Sequence, residues 1–219
     1  MLTGTKPIVL DGHTADWAIV VALAEEGIRS FLLPSPKAEA VPTLDPTRKL
    51  SRLVLDDEPV EPLGPAGDQA SLWRGVLDDV SVGLAAELVG VSDRALEEAV
   101  EYARVRVVFD RPIASFQSVK HRIVDMYHAL EMARVGVHFA AWAADSDAPE
   151  RSRAAAMAAA YAAEAAVRVT GDNIQVHGGV GFTWANDAHF LFKRAKQNEV
   201  LMGGSGHHWN RLAGMLVTR

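Results

Sequence analysis

The sequence predicts a mainly α protein: an antiparallel helical bundle of four long helices and a short one, preceded by a partial β-sheet domain. Three observations lead there. Residues 1–60 hold short apolar runs set between Gly, Pro and Asp; residues 59–67 carry three prolines and two glycines; beyond them apolar side chains recur at helical spacing with only brief interruptions.

The strand readings are residues 17–23, residues 30–33 and residues 50–55, with Gly12, Gly27 and Pro34 as punctuation. Four or five strands in all make a thin sheet, because a few strands with uncovered faces are marginal by themselves. Residues 1–62 are therefore read as part of a larger β domain, and residues 68–219 as the bundle. Leu77, Val80, Leu84, Leu88, Val91, Ala95 and Val100 share one face of a helix over about residues 72–107, which Pro112 ends. A second helix is expected over residues 116–144 and a third, rich in alanine, from Pro149 to His177. The fourth is expected from Trp184 to about Met202 and a short fifth over residues 206–217. Short turns between long helices make neighbours antiparallel. Trp142, Trp184 and Trp209 are expected to pack.

Bulk properties exclude several classes. The net charge is −6 and no basic patch stands out, which argues against nucleic acid or an anionic membrane surface as partner. No cysteine is present, so thiolate chemistry and disulfides are excluded. The apolar residues 154–167 are mostly alanine and are broken by Glu164, well short of the ~20 residues of a membrane span. The first residues lack the order of a signal peptide. A cytoplasmic location is expected. Eight histidines show no metal-ligand spacing: His207 and His208 are adjacent, and His121 with Asp125 has no third ligand in sequence reach.

Gly178, Gly179 and Gly181, three glycines in four positions after His177, open a stretch where something can approach the backbone closely. A tight helix–helix turn or a flat or phosphate-bearing ligand would each explain them. The run follows a helix and not a strand, so no dinucleotide-binding βαβ unit is indicated.

Three segments carry a resemblance. Arg106, Phe109, Ile113 and Phe116-Gln117 stand at the spacing of the acyl-CoA dehydrogenase family's Arg-x-x-Phe-Gly-x-x-Ile and Phe-Gln signature, with Asp110 in place of the glycine. Gln175-Val-His-Gly-Gly-Val-Gly resembles that family's Gln-x-x-Gly-Gly-x-Gly flavin motif, and Leu2-Thr-Gly-Thr-Lys, Ala15-Asp16 and Asp45-Pro-Thr-Arg resemble its middle β domain. The resemblance implies a C-terminal four-helix bundle, a homo-oligomer or a heteromer, one FAD per active site, an acyl-CoA substrate oxidised to the 2-enoyl-CoA, and electron-transfer flavoprotein as acceptor. It implies that Arg106, Phe109 and Gln117 contact FAD, and that Gln175, Gly178 and Gly179 reach the adenine half of a neighbouring subunit's FAD. A guanidinium fork suits a pyrophosphate, and glycines allow close backbone approach.

The family's reaction needs a desolvated carboxylate base beside the thioester. At the position where many members carry that glutamate the sequence has Met202, in Leu201-Met-Gly-Gly-Ser, and the position where other members carry it, near Val80, is again not acidic, with Asp79 one residue off. The candidates are Glu87, in an apolar stretch between Gly83 and Gly90, and Asp79 as alternative. Asp78 could serve CoA binding, but Ser81 replaces the arginine that usually accompanies it. The family's N-terminal helical domain and the first half of its β domain have no counterpart, so a flavin site made by this chain alone is expected to lack one wall. A non-catalytic partner subunit is the alternative to an enzyme.

Overall fold

The computed structural model describes residues 1–201 and 203–217. The chain divides into two compact units, Met1–Val76 and Leu77–Arg219. The division falls inside the first helix and not in the proline-rich stretch before it, because Gln69 and Trp73 are bonded to the sheet.

The first unit contains two three-stranded antiparallel sheets. One has the order β1 (Leu2–Leu10), β5 (Leu50–Glu58), β4 (Ala38–Val41); the other has β2 (Trp17–Ala24), β3 (Gly27–Pro34), β6 (Glu61–Leu63). Six strands stand where four or five were expected. The third sheet partner, β6, lies at the boundary, inside the Pro- and Gly-rich residues 59–67, and its Pro62 is tolerated because β6 is an edge strand with no further neighbour to bond. β1 slips register between Lys6 and Val9, around Pro7, which has no N–H to give the ladder. Val20, Leu33, Leu53 and Leu55 form the small core.

Gln69 ties this unit together. It is 3% exposed, and its Oε1 accepts from the Ser30 N–H at 2.8 Å and the Ser30 hydroxyl at 2.6 Å, while its Nε2 donates to the Leu63 and Pro65 carbonyls, both at 2.8 Å. Trp73 Nε1 donates to the same hydroxyl at 2.8 Å. Gln69→Leu would strip four bonds, two of them from the buried Ser30, and each buried donor or acceptor left bare costs about 1–3 kcal/mol. The expected result is a loss of roughly 2–4 kcal/mol in urea unfolding followed by probes in the sheet.

The second unit is the bundle. Its helices are α1 (Ala70–Val105), α2 (Gln117–Asp145), α3 (Arg151–His177), α4 (Ala188–Leu201) and α5 (Gly204–Val217). The ion pairs Arg122–Asp172 and Arg168–Asp125, the latter 3.3 Å, join opposite ends of α2 and α3 and fix them antiparallel. Asp78–Ser152 near both starts and Glu98–Asn173 near both ends run α1 parallel to α3. α3 is the central helix, touching α2, α4 and α5, and most of its alanines are buried. Alanine on every side lets three helices approach one backbone closely.

Two expectations need correction. The fourth helix begins at Ala188 and not at Trp184: a 3-10 turn covers Gly178–Phe182, and Asn186 Oδ1 accepts the Ala188 N–H at 2.9 Å, capping the helix. Its length equals that of α5, 14 residues each. The tryptophans do not all pack. Trp142 is 56% and Trp184 76% exposed, and Trp209 sends its Nε1 to Glu164 at 2.7 Å. Among the described residues no helix is long and apolar enough to cross a membrane.

Candidate functional site

The up-down order of the helices gathers the C-terminal ends of α1 and α3 and the N-terminal ends of α2 and α4 at one end of the bundle. All six residues that the resemblance implicates in flavin contact lie there. α1 ends at Val105, and Val107–Val108 (β7) pairs with Arg111–Pro112 (β8) in a tight hairpin. Its two corner residues, Phe109 and Asp110, have φ of +53° and +62°. Asp tolerates this left-handed region; for Phe it costs roughly 1–2 kcal/mol. The Phe109 ring is held out at 85% exposure, edge-on to Phe116 at 6.4 Å, and the Arg111 guanidinium caps Phe116 at 4.2 Å.

Arg106 is fixed through its backbone, donating its N–H to Tyr102 O at 2.9 Å and accepting Ile113 N–H at 2.8 Å. Its side chain is exposed, and among the described residues it makes no ion pair. Gln117 is the first residue of α2 and Gln175 stands in the last turn of α3, both exposed.

The three glycines have different reasons. Gly178 ends α3 at φ +65°, ψ −141°, a conformation only glycine adopts readily. Gly181 is packed: a Cβ there would stand 3.0 Å from both the Ile174 carbonyl oxygen and the His177 Cβ. Gly179 meets nothing within 4 Å and neither does Gly178, so the outer side of the turn is open to an incoming group. Gly181→Ala is expected to destabilise the bundle by about 1–3 kcal/mol, the usual cost of overpacking, read as a lower thermal midpoint.

Beside the turn is a cleft of about 660 Å³. Glu98, Tyr102 and Val105 of α1 face His177, Asn186 and Asp187 across it. On its floor Tyr102 stacks on His177 at 4.3 Å, and His177 Nδ1 lies 3.0 Å from the Asn173 carbonyl, so that nitrogen carries the proton and donates. Phe182 at 74% exposure and Trp184 stand in the adjoining turn, with Lys193 Nζ 4.8 Å from the Trp184 ring. Sequence reasoning missed the Tyr102–His177 pair. His177 lies within the quoted glycine motif and Tyr102 four residues before Arg106, yet only the parallel packing of α1 and α3 brings them together.

The carboxylate candidates are elsewhere, along α1. Glu87 Oε1 accepts from Arg194 of α4 at 2.8 Å. Asp79 accepts from one Arg151 nitrogen through both oxygens at 2.8 Å, and that bond is the main cause that holds the Arg151 guanidinium above its ordinary value. Asp78 is 2% exposed and bonded to Ser152 Oγ and to Arg211, each at 2.5 Å, while Ser81 is buried and donates to the Leu77 carbonyl. Met202, at the position of the usual base, lies outside the described residues. Gly203 and Gly204 after it both have positive φ, +88° and +80°.

Comparison with known proteins agrees with this architecture. Residues 73–216 match the model of the acyl-CoA dehydrogenase C-terminal domain. The chain is 39% identical over 194 residues to acyl-CoA dehydrogenase IpdE2 of Mycobacterium tuberculosis, a match that covers 89% of this chain and 55% of that protein. It thus spans a little over half the length of that relative. Butyryl-CoA dehydrogenase from Megasphaera elsdenii superposes with a TM-score of 0.92 at 28% identity, over 98% of this chain and 60% of that one. The ChsE4–ChsE5 complex from Mycobacterium tuberculosis superposes at 0.88 with 32% identity, over 99% and 60%. By its C-terminal domain, its fold and its relatives, the chain belongs to the acyl-CoA dehydrogenase family.

Proposed function

We propose that the chain works as a subunit of an FAD-dependent acyl-CoA dehydrogenase that oxidises an acyl-CoA to the 2-enoyl-CoA within a homo- or heteromer in the cytoplasm and passes electrons to electron-transfer flavoprotein. Residues 1–62 belong in this reading to the middle β domain and residues 68–219 to the bundle. The observation that carries it is the convergence of Arg106, Phe109, Gln117, Gln175, Gly178 and Gly179 on one exposed end of the bundle.

The residues present fit a flavin dinucleotide. Arg106 offers an unpaired planar donor fork suited to a pyrophosphate, Gln117 and Gln175 offer amides that can pair with a base edge, Phe109 offers a flat face, and the open space over Gly178 and Gly179 admits a group against the backbone. Bound FAD would supply a hydride acceptor for the β-hydrogen of the acyl chain. The chain's own residues bind and orient, and the proton at the α-carbon needs a carboxylate.

Glu87 and, as alternative, Asp79 are the acids this chain can offer as base. A second reading is favoured by a specific observation: both carboxylates are held by guanidinium groups, Arg194 and Arg151. In that reading the chain is a non-catalytic partner that keeps the bundle interface and the flavin contacts, and another chain carries the base. Acyl-CoA-dependent dye reduction by the assembled protein separates the two. If Glu87 is the base, Glu87→Gln lowers kcat by at least about 100-fold, the low end for general-base loss, at unchanged flavin content. Full activity in both Glu87→Gln and Asp79→Asn places the base on another chain.

A further inference from the structure

The cleft beside the glycine turn is acidic. Three carboxylates line it, Glu98, Glu101 and Asp187, against one guanidinium, Arg104. Glu98 is engaged, accepting from Arg94 Nε at 3.0 Å and from Asn173 Nδ2 at 3.4 Å. Glu101 and Asp187 are exposed, and among the described residues their carboxylates have neither an ion pair nor a hydrogen bond. The backbone adds charge of the same sign. α1 ends at Val105 and α3 at His177, so two helix C-termini put partial negative charge on this end, and the opposite charge at the start of α4 is met by Asp187 just before Ala188.

His177 is an independent feature of the same cleft. It is 7% exposed and lines the cleft. Its Nδ1–H is given to the Asn173 carbonyl at 3.0 Å, which leaves Nε2 as a lone-pair acceptor. Among the described residues nothing donates to Nε2, and the atom is not sealed from solvent, so it opens on the cleft. An acceptor on a side chain this deeply buried calls for a donor.

We infer that the cleft is a binding site for an organic cation of the linear diamine class, whose ammonium N–H groups are accepted by His177 Nε2 and by the Glu101 and Asp187 carboxylates. Tyr102, Val105 and Ala185 supply the apolar part of the lining for its methylenes. The acceptors select the ligand. An anion meets three carboxylates, and a neutral acceptor finds nothing to pair with on His177, whereas an ammonium group brings three donors and the opposite charge. Among the described residues no three His, Asp or Glu side chains could hold a metal ion, which sets a bare divalent cation aside. At about 660 Å³ the cleft falls in the range of small-molecule sites, roughly 300–1,000 Å³. Arg106, Phe109, Gln117 and Gln175 are not part of its lining, so the inference stands apart from the flavin reading.

Isothermal titration of 1,4-diaminobutane into the purified full chain tests it, at about 0.15 M ionic strength, where exposed charges more than about 8 Å apart are screened. Saturable binding is expected, and 1,4-butanediol, of the same length without charge, should not bind. Glu101→Gln combined with Asp187→Asn should raise the dissociation constant at least about tenfold, with the circular dichroism spectrum and the FAD content unchanged. His177→Phe keeps a ring beside Tyr102 and removes the acceptor, and should weaken binding at least about tenfold as well. No saturable binding at millimolar diamine, equal binding of the diol, wild-type affinity in either variant, or release of FAD by the diamine would each overturn the inference.

Discussion

Asp78→Ala is expected to lower the stability of the bundle by about 3–5 kcal/mol, the range seen when one partner of a buried ion pair is removed. Asp78 is 2% exposed and joins three helices at one point: its own α1, Ser152 at the start of α3, and Arg211 of α5. Removing the carboxylate leaves the Arg211 guanidinium, 25% exposed, without its counter-charge and the Ser152 hydroxyl without its acceptor. The effect should concentrate in α5. That helix follows two glycines of positive φ, buries only His208 among its described residues, and is bonded to the other helices by Arg211–Asp78 and by Trp209–Glu164 at 2.7 Å, among others. Hydrogen exchange in α5 should therefore rise more than in α3. Pairing Asp78→Ala with Arg211→Met closes a double-mutant cycle, and a strong positive coupling is expected because the double variant removes the bare charge. A loss below about 1 kcal/mol would mean that the pair is already solvated, the case in which surface ion pairs contribute little.

Arg106→Ala is expected to weaken FAD binding by roughly 10- to 100-fold while leaving the unfolding midpoint unchanged. A charge-assisted bond to a phosphate is worth about 1.5–3 kcal/mol, and tenfold in affinity corresponds to about 1.4 kcal/mol. The split between affinity and stability follows from geometry: the Arg106 backbone holds the hairpin, whereas its side chain holds nothing in the described structure. Phe109 gives the complementary case. At φ +53° it is strained and 85% exposed, so Phe109→Gly should stabilise the hairpin by up to about 1 kcal/mol and yet weaken flavin binding. Strain kept at an exposed aromatic is what a binding role predicts; for a residue serving only the turn the same substitution would gain stability and leave flavin binding unchanged.

Much of the bundle was legible because its signals are local. Apolar spacing placed α1, α2 and α3 within a few residues, and the glycine after His177 marked the end of α3. The start of α4 was misplaced because the apolar Phe182 and Trp184 look like helix residues, whereas Asn186 before Ala188 was the cap signal that counted. β6 has no strand signal of its own, since it sits among the three prolines of residues 59–67, and only its pairing with β3 makes it a strand. The exposed Trp142 could not be told from a core tryptophan by spacing, since α2 carries apolar stripes on both sides. At the site, the motif residues were legible one by one. Their convergence, the Tyr102–His177 stack and the Glu87–Arg194 pair depend on which helices lie side by side, and no local pattern encodes that.

The proposal that the end of the bundle where α1 and α3 finish holds flavin is tested most directly by equilibrium titration of FAD into the purified assembly, followed by flavin fluorescence. Wild type should bind saturably, and Arg106→Ala combined with Gln175→Ala should lose at least about 100-fold in affinity at unchanged thermal midpoint and unchanged association state. Wild-type affinity in the double variant, or no saturable FAD binding by the wild-type chain alone or with any partner subunit, would contradict the assignment.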